Sequence, residues 1–447
     1  MRTMRSTVGH RAMGLVAMAV GLLLTTTACG AGTAVDTPAT GVAQPGTDEA
    51  HAAHTTPSSG RASAAQLART TPSAAVDLRS RLEELLGAHV LFADELVRAR
   101  LAGQRARQAA VTDSVERNQE TLVELVTSAA GPPAGQAFAT AWQNHVDVLG
   151  AYATALEDGD TVGQQAARDS YVRAEGQLAD VFSTLVGGRV PKADLAAAAA
   201  MHGNHLLEQA DAYAAGDYDK AYTIQREAFS HMIVVADVLA RGAAAEQELP
   251  SQEFDAPRRQ LQTALSRLLA EHMGLIVQLM RAAHDDAPDL PGAGKATNAN
   301  TAELGGAIAA LYGEPASTAF LDLWGQHVEG LVAYADAPAG SAARDAARRQ
   351  EEDYAPQLAR FLAGATEGRL PAIDLAAALT EHDDHLMDQA DAYAEDDLMR
   401  AQELSEMGYA HMFALSQTLA TAIGDTVAAR LPRGGAATGG GALARGR

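Results

Sequence analysis

From Leu78 onward the apolar positions fall at helical spacing. Leu78, Leu82, Leu85, His89, Phe92 and Leu96 recur every three or four residues, the mark of one buried helix face. A second stripe runs through Asn118, Leu122 and Leu125 and stops at Gly131-Pro132-Pro133. A third carries Phe138, Trp142, His145, Leu149 and Tyr152 and stops at Glu157-Asp158-Gly159-Asp160. A fourth carries Tyr171, Leu178 and Phe182, a fifth His202 and His205, and a sixth His231. Pro191 to Asp194 suits a helix start, where proline loses no hydrogen bond and an acid complements the dipole. Asp217 and Asp397 are placed to cap the helices that follow them.

The pattern then repeats. Residues 188–232 and 368–412 align without a gap at an offset of 180, with 21 identities in 45 positions. Leu261, Leu265, Leu268, His272, Leu275 and Leu279 restate the first stripe; Asn300 answers Asn118, Trp324 and His327 answer Trp142 and His145, and Tyr354 answers Tyr171. A shorter period lies inside each copy. His89, His145 and His202 are 56 and 57 apart, and His272, His327 and His382 are 55 and 55 apart. Each opens a helical hairpin whose return helix carries a polar residue at matching depth: Asn118, Tyr171 and His231, then Asn300, Tyr354 and His411. The expected fold class is all-α, as two tandem homologous up-and-down bundles of about six helices each. Their expected limits are 75–248 and 251–431, each able to fold alone.

Histidine is where the duplication points to chemistry. Of 14 histidines, ten form five matched pairs: His89/His272, His145/His327, His202/His382, His205/His385 and His231/His411. His202, His205 and Gln209 share one helix face, as do His382, His385 and Gln389. An inward-facing imidazole is kept neutral by burial, and neutral imidazole is the form that ligates metal. One reading gathers His202, His205 and His231 with His89 or His145, and their counterparts, around zinc or copper. Asn118, Gln209, Asn300 and Gln389 would then orient the ligands from behind. The competing reading makes all ten hydrogen-bonded core residues that set helix register; a third makes them a pH-responsive cluster. Glu381, Asp383 and Asp384 face Met201, Gly203 and Asn204 in the other copy, so no carboxylate is shared.

Composition narrows the rest. The net charge of −22 argues against nucleic acid and against adhesion to anionic lipid. Aromatics are 4 % while alanine and leucine abound, which favours helices over sheets. No nucleophile motif, phosphate loop or dinucleotide fingerprint appears, and an enzyme is the weakest of the functional readings.

The first 28 residues read as a signal peptide. Arg2, Arg5 and Arg11 precede an apolar run, Met13 to Leu24, too short for a mature membrane span. Thr26-Thr27-Ala28-Cys29 resembles a bacterial lipobox, with Thr26 where leucine is usual. Cys29 is the only cysteine and the expected lipidation site. Residues 29–74 are rich in Ala, Thr, Ser, Pro and Gly and read as a tether, in which His51 and His54 are a chance pair. Residues 432–447 read as a tail.

The stretch from Asn300 through Leu311-Tyr312-Gly313 and Leu323-Trp324-Gly325-Gln326-His327 to Tyr334 resembles a recurrent helical segment of exported proteins of Gram-positive bacteria. The resemblance covers about half of each repeat. It implies export and no catalytic residue. The expectation is thus a lipoprotein on the outer face of the cell membrane, with a binding or scaffold role. Its partners would be the membrane, through lipid, and an envelope protein.

Overall fold

The structure is a computed structural model describing residues 73–250 and 252–430, which belong to one compact unit. Cys29, His51 and His54, the signal peptide, most of the tether and the tail lie outside the described residues.

The described chain is all-α, with no strand among the described residues. The first six helices are α1 (Ala74–Leu101), α2 (Arg105–Ala130), α3 (Pro132–Glu157), α4 (Thr161–Leu185), α5 (Lys192–Ala214) and α6 (Tyr218–Glu246). After a 3-10 turn, Gln252–Asp255, come α7 (Pro257–His284), α8 (Leu290–Tyr312), α9 (Glu314–Asp336), α10 (Ala342–Ala365), α11 (Ala372–Ala394) and α12 (Leu398–Arg430). The joints are short because their residues suit them. Gly131 and Gly313 each turn the chain at φ 87° between a helix end and a proline-led helix start, a backbone angle that disfavours side chains. Asp217 accepts from the backbone N–H of Lys220 and Asp397 from that of Arg400, both at 3.2 Å, so both aspartates cap as the sequence suggests.

In each half, consecutive helices pack side by side, and the sixth returns to the first. The odd-numbered helices also touch one another, α1 with α3 and α5, and α7 with α9 and α11. They form an inner trio carrying His89, His145 and His202, or His272, His327 and His382. Helix α6, 29 residues, is long and apolar enough to cross a membrane, but here its apolar face, including Phe229, Ile233, Ala236 and Leu239, is buried in the bundle.

The halves meet along α1 and α7, whose equivalent residues are 183 apart. Ser80 binds Gln262, Glu83 binds Thr263, and Asp94 binds Gln278. Leu91 meets its own counterpart, Gly274, where a Cβ would come within 2.7 Å of the leucine side chain. Each helix therefore faces its equivalent in the same direction, as across a two-fold axis. The flanking contacts obey that axis: α6 packs on α8, and α12 on α2.

Candidate metal centre

The inner trio of each half brings three imidazoles together. In the first half the ring centroids of His89, His145 and His202 are 5.1, 5.3 and 5.4 Å apart. In the second, those of His272, His327 and His382 are 5.7, 5.7 and 6.0 Å apart. All six rings are buried, and within each trio one nitrogen per ring lies within 4.8 Å of the others. Three bonds of 2.0–2.1 Å to a tetrahedral ion need nitrogens about 3.3 Å apart, so modest ring rotation would close the set.

The hydrogen bonding of these rings is lopsided. Glu175 Oε1 lies 2.7 Å from His145 Nδ1 and Glu351 Oε2 lies 2.7 Å from His327 Nδ1. When ionised, each carboxylate accepts from Nδ1 and so fixes the tautomer that leaves Nε2 with a lone pair. His145 Nε2 then accepts from His89 Nε2 at 3.0 Å. Both nitrogens of His202, His272 and His382, and Nε2 of His327, have no partner among the described residues. Nor do the indole N–H groups of Trp142 and Trp324, whose rings pack 4.5 and 4.7 Å from His89 and His272. An orphaned buried polar group costs about 1–3 kcal/mol, so seven such nitrogens do not make a stabilising core.

The other histidines do different work. His231 Nε2 donates to the Ala198 carbonyl and His411 Nε2 to the Ala378 carbonyl, each at 2.9 Å. Those carbonyls are four residues before His202 and His382. Asn118 donates to the Leu85 carbonyl and Asn300 to the Leu268 carbonyl, each at 3.0 Å, four residues before His89 and His272. In the first and third hairpins the return helix thus clamps the inner helix one turn from its triad histidine. In the second hairpin it reaches the imidazole itself, through Glu175 or Glu351. His205 and His385, half-buried, lie 5.6 and 5.8 Å from His231 and His411.

The expected grouping of His202 with His205 and His231 is therefore redrawn. His202 joins both His89 and His145, and the other two form an outer pair. Asn118 and Asn300 clamp backbone. Gln209 binds Asp94, and Gln389 lies beside Gln278 in a surface cleft. Seven residues on, a glutamine shares the face of His202 but stands about 10 Å along the helix, beyond reach.

A shared carboxylate exists that residue identities conceal. The burial patterns of α4 and α10 superpose at an offset of 180, which puts Glu351 at the register of Tyr171 and Tyr354 at that of Ala174. Tyr354 therefore does not stand where Tyr171 does. Each half still builds a histidine, glutamate and tyrosine set: Tyr171 OH is 3.4 Å from His145 Nε2, and Tyr354 stacks on His327 at 4.4 Å. The same grouping is reached from different positions. Its signal in sequence is the run of apolar positions that match at an offset of 180, Leu178 with Leu358, Ala179 with Ala359 and Phe182 with Leu362.

Burial sets the protonation of the site. It holds His89, His202, His272 and His382 well below the usual histidine range and His327 down to about 3. It pushes Glu83 up to about 7, Glu351 up to about 8, and Asp383 well up. The buried histidines contribute stability that is present above the unfolded value of 6.5 and lost as pH falls below it. The raised carboxyls contribute stability that is present below their unfolded range of about 4 to 4.5 and lost as pH rises through 7 to 8. Below pH 6.5 the five depressed histidines outweigh the three raised carboxyls, and above it only the carboxyl loss remains, so metal-free protein is expected to be most stable near pH 6.5. Melting temperatures taken with chelator from pH 3.5 to 9 check this; a maximum at pH 8 or above would contradict it.

Searches of family models, curated proteins and solved structures return no match to this chain.

Proposed function

We propose that this protein binds a transition-metal ion, zinc or copper, in each of its two buried histidine triads, and holds that metal at the cell envelope. One observation carries the reading: three buried imidazoles converge in each half, with nitrogens that no other group among the described residues satisfies. An all-imidazole donor set suits zinc and copper, and the Glu175 and Glu351 contacts match the carboxylate–histidine–metal arrangement. The hydrogen-bonded core reading describes His231 and His411 well and the triads badly. The outer pair, His205 with His231, is half-buried and near enough to His202 to act on its charge, and offers a way in for the ion. Lipidation of Cys29 would hold the protein on the outer face of the membrane, placing this binding role there; a Cys29→Ser chain that still sediments with membranes would overturn that anchor.

Calorimetric titration of the metal-free full chain, with His51→Ala and His54→Ala, tests the reading. Tight binding of zinc or copper(II) is expected in both halves. Triad binding should vanish in the His202→Ala, His382→Ala variant and persist with His205→Ala and His385→Ala. Glu175→Gln is expected to weaken the first-half site by roughly 10–100-fold. Undiminished tight binding after loss of His202 and His382 would exclude the triads.

A further inference from the structure

The two halves are unequal at the back of the central histidine. In the second half, Glu351 Oε2 and Asp383 Oδ1 lie 2.7 and 3.6 Å from His327 Nδ1. The three residues form a second buried donor group within 4.8 Å. Asp383 is 2 % exposed. Among the described residues neither of its carboxylate oxygens has a hydrogen-bond partner, and neither does Glu351 Oε1. The groups that act on Asp383 are Glu351 and Asp384, both acidic. Two buried carboxyls without a cationic side chain stay protonated when alone and are free to ionise onto a bound cation.

The first half cannot build this group. Tyr171 occupies the register of Glu351, and Gly203 that of Asp383. A Cβ on Gly203 would come within 2.6 Å of the Tyr171 ring, so the tyrosine takes the space that the aspartate fills in the other half.

We infer that the second half holds a further divalent cation between Glu351, Asp383 and His327 Nδ1, beside the ion of the triad, so that the His327 ring bridges the two. His327 has the geometry for it, with Nδ1 toward the carboxyls and Nε2 free of any partner. One nitrogen and two carboxylate donors suit zinc or another borderline divalent ion, and two carboxylates balance its charge. When the ion binds, the His327 Nδ1 proton and any carboxyl protons leave to solvent, and the ring bridges as an imidazolate. The inference rests on the triads binding metal, and the test separates the two.

The full chain with His51→Ala and His54→Ala is loaded with zinc, desalted and assayed for metal per chain. The same protein loaded with copper(II) is examined by electron paramagnetic resonance. The second half is expected to hold one ion more than the first. Asp383→Asn, which keeps the side-chain shape, and Asp383→Gly, the first half's own residue, should each lose one equivalent and spare the triads. Copper in the second half should be partly silent through coupling across the bridging ring, and that silence should disappear in both variants. One ion per half, unchanged by Asp383→Asn and with all copper visible, would overturn the inference and leave the triads standing. No binding in either half would remove both.

Discussion

Zinc is expected to raise the melting temperature of the metal-free protein by about 7 °C when free metal is about 100 times the dissociation constant of both triads. A ligand at that ratio stabilises by about 2.7 kcal/mol per site, hence about 5 kcal/mol for two. Unfolding about 360 residues carries an entropy of roughly 0.75 kcal/mol/K, which converts that gain to the stated shift. The effect should be seen by scanning calorimetry near pH 7.5, where the imidazoles of the unfolded chain are also mostly neutral, so that proton competition is small. The His202→Ala, His382→Ala variant should lose the shift. An equal shift in that variant would place the binding elsewhere; no shift in the parent would leave the orphaned nitrogens without this explanation.

Breaking the charge network between the halves is expected to cost nearly as much. Arg98 is 2 % exposed. It binds Asp94, and Glu95 at 2.9 Å, and its Nε lies 3.8 Å from Asp289. Its guanidinium also faces the rings of Tyr213 and Tyr222. Arg281, its equivalent in the second half, binds the same Asp289, which also accepts from Tyr222 OH at 3.0 Å. Removing one partner of a buried network leaves an uncompensated charge and costs about 3–5 kcal/mol. Arg98→Met should therefore lower the melting temperature by about 4–7 °C. Adding Asp94→Asn should recover part of that loss, because the carboxylate that Arg98 leaves unpaired is then neutral. A cost below about 1 kcal/mol would mean that solvent reaches the network and screens it.

Much of this was legible in the chain. The apolar stripes give the helices, the offset of 180 gives the duplication, and the spacing of 55 to 57 between histidines picks out the six residues of the triads. Periodicity reports which face of a helix a residue occupies, and much less its depth against another helix. His202 and His205 share a face, yet a rise of about 4.5 Å separates them. Only the packing of α1, α3 and α5 decides that His202 is central and His205 peripheral. The glutamates escaped for another reason. Matching like with like pairs Tyr171 with Tyr354 and hides that Glu351 stands at the register of Tyr171. Asp383, set aside because its counterpart is Gly203, lies beside the site because of that same exchange.

The two-fold relation of the halves is broken in charge, and that gives them a preference for each other. Where α6 meets α8, Arg226 binds Glu303 at 2.7 Å. Where α12 meets α2, the register of Arg226 is held by Glu406, which binds Arg117 at 2.7 Å. Two copies of the first half, docked in this way, would set Arg226 toward Arg117; two copies of the second would set Glu406 toward Glu303. Each like pairing is repelled and the mixed one attracted. Divergence after duplication has thus given the chain a head and a mate, so that neighbouring chains are steered away from pairing like halves with each other.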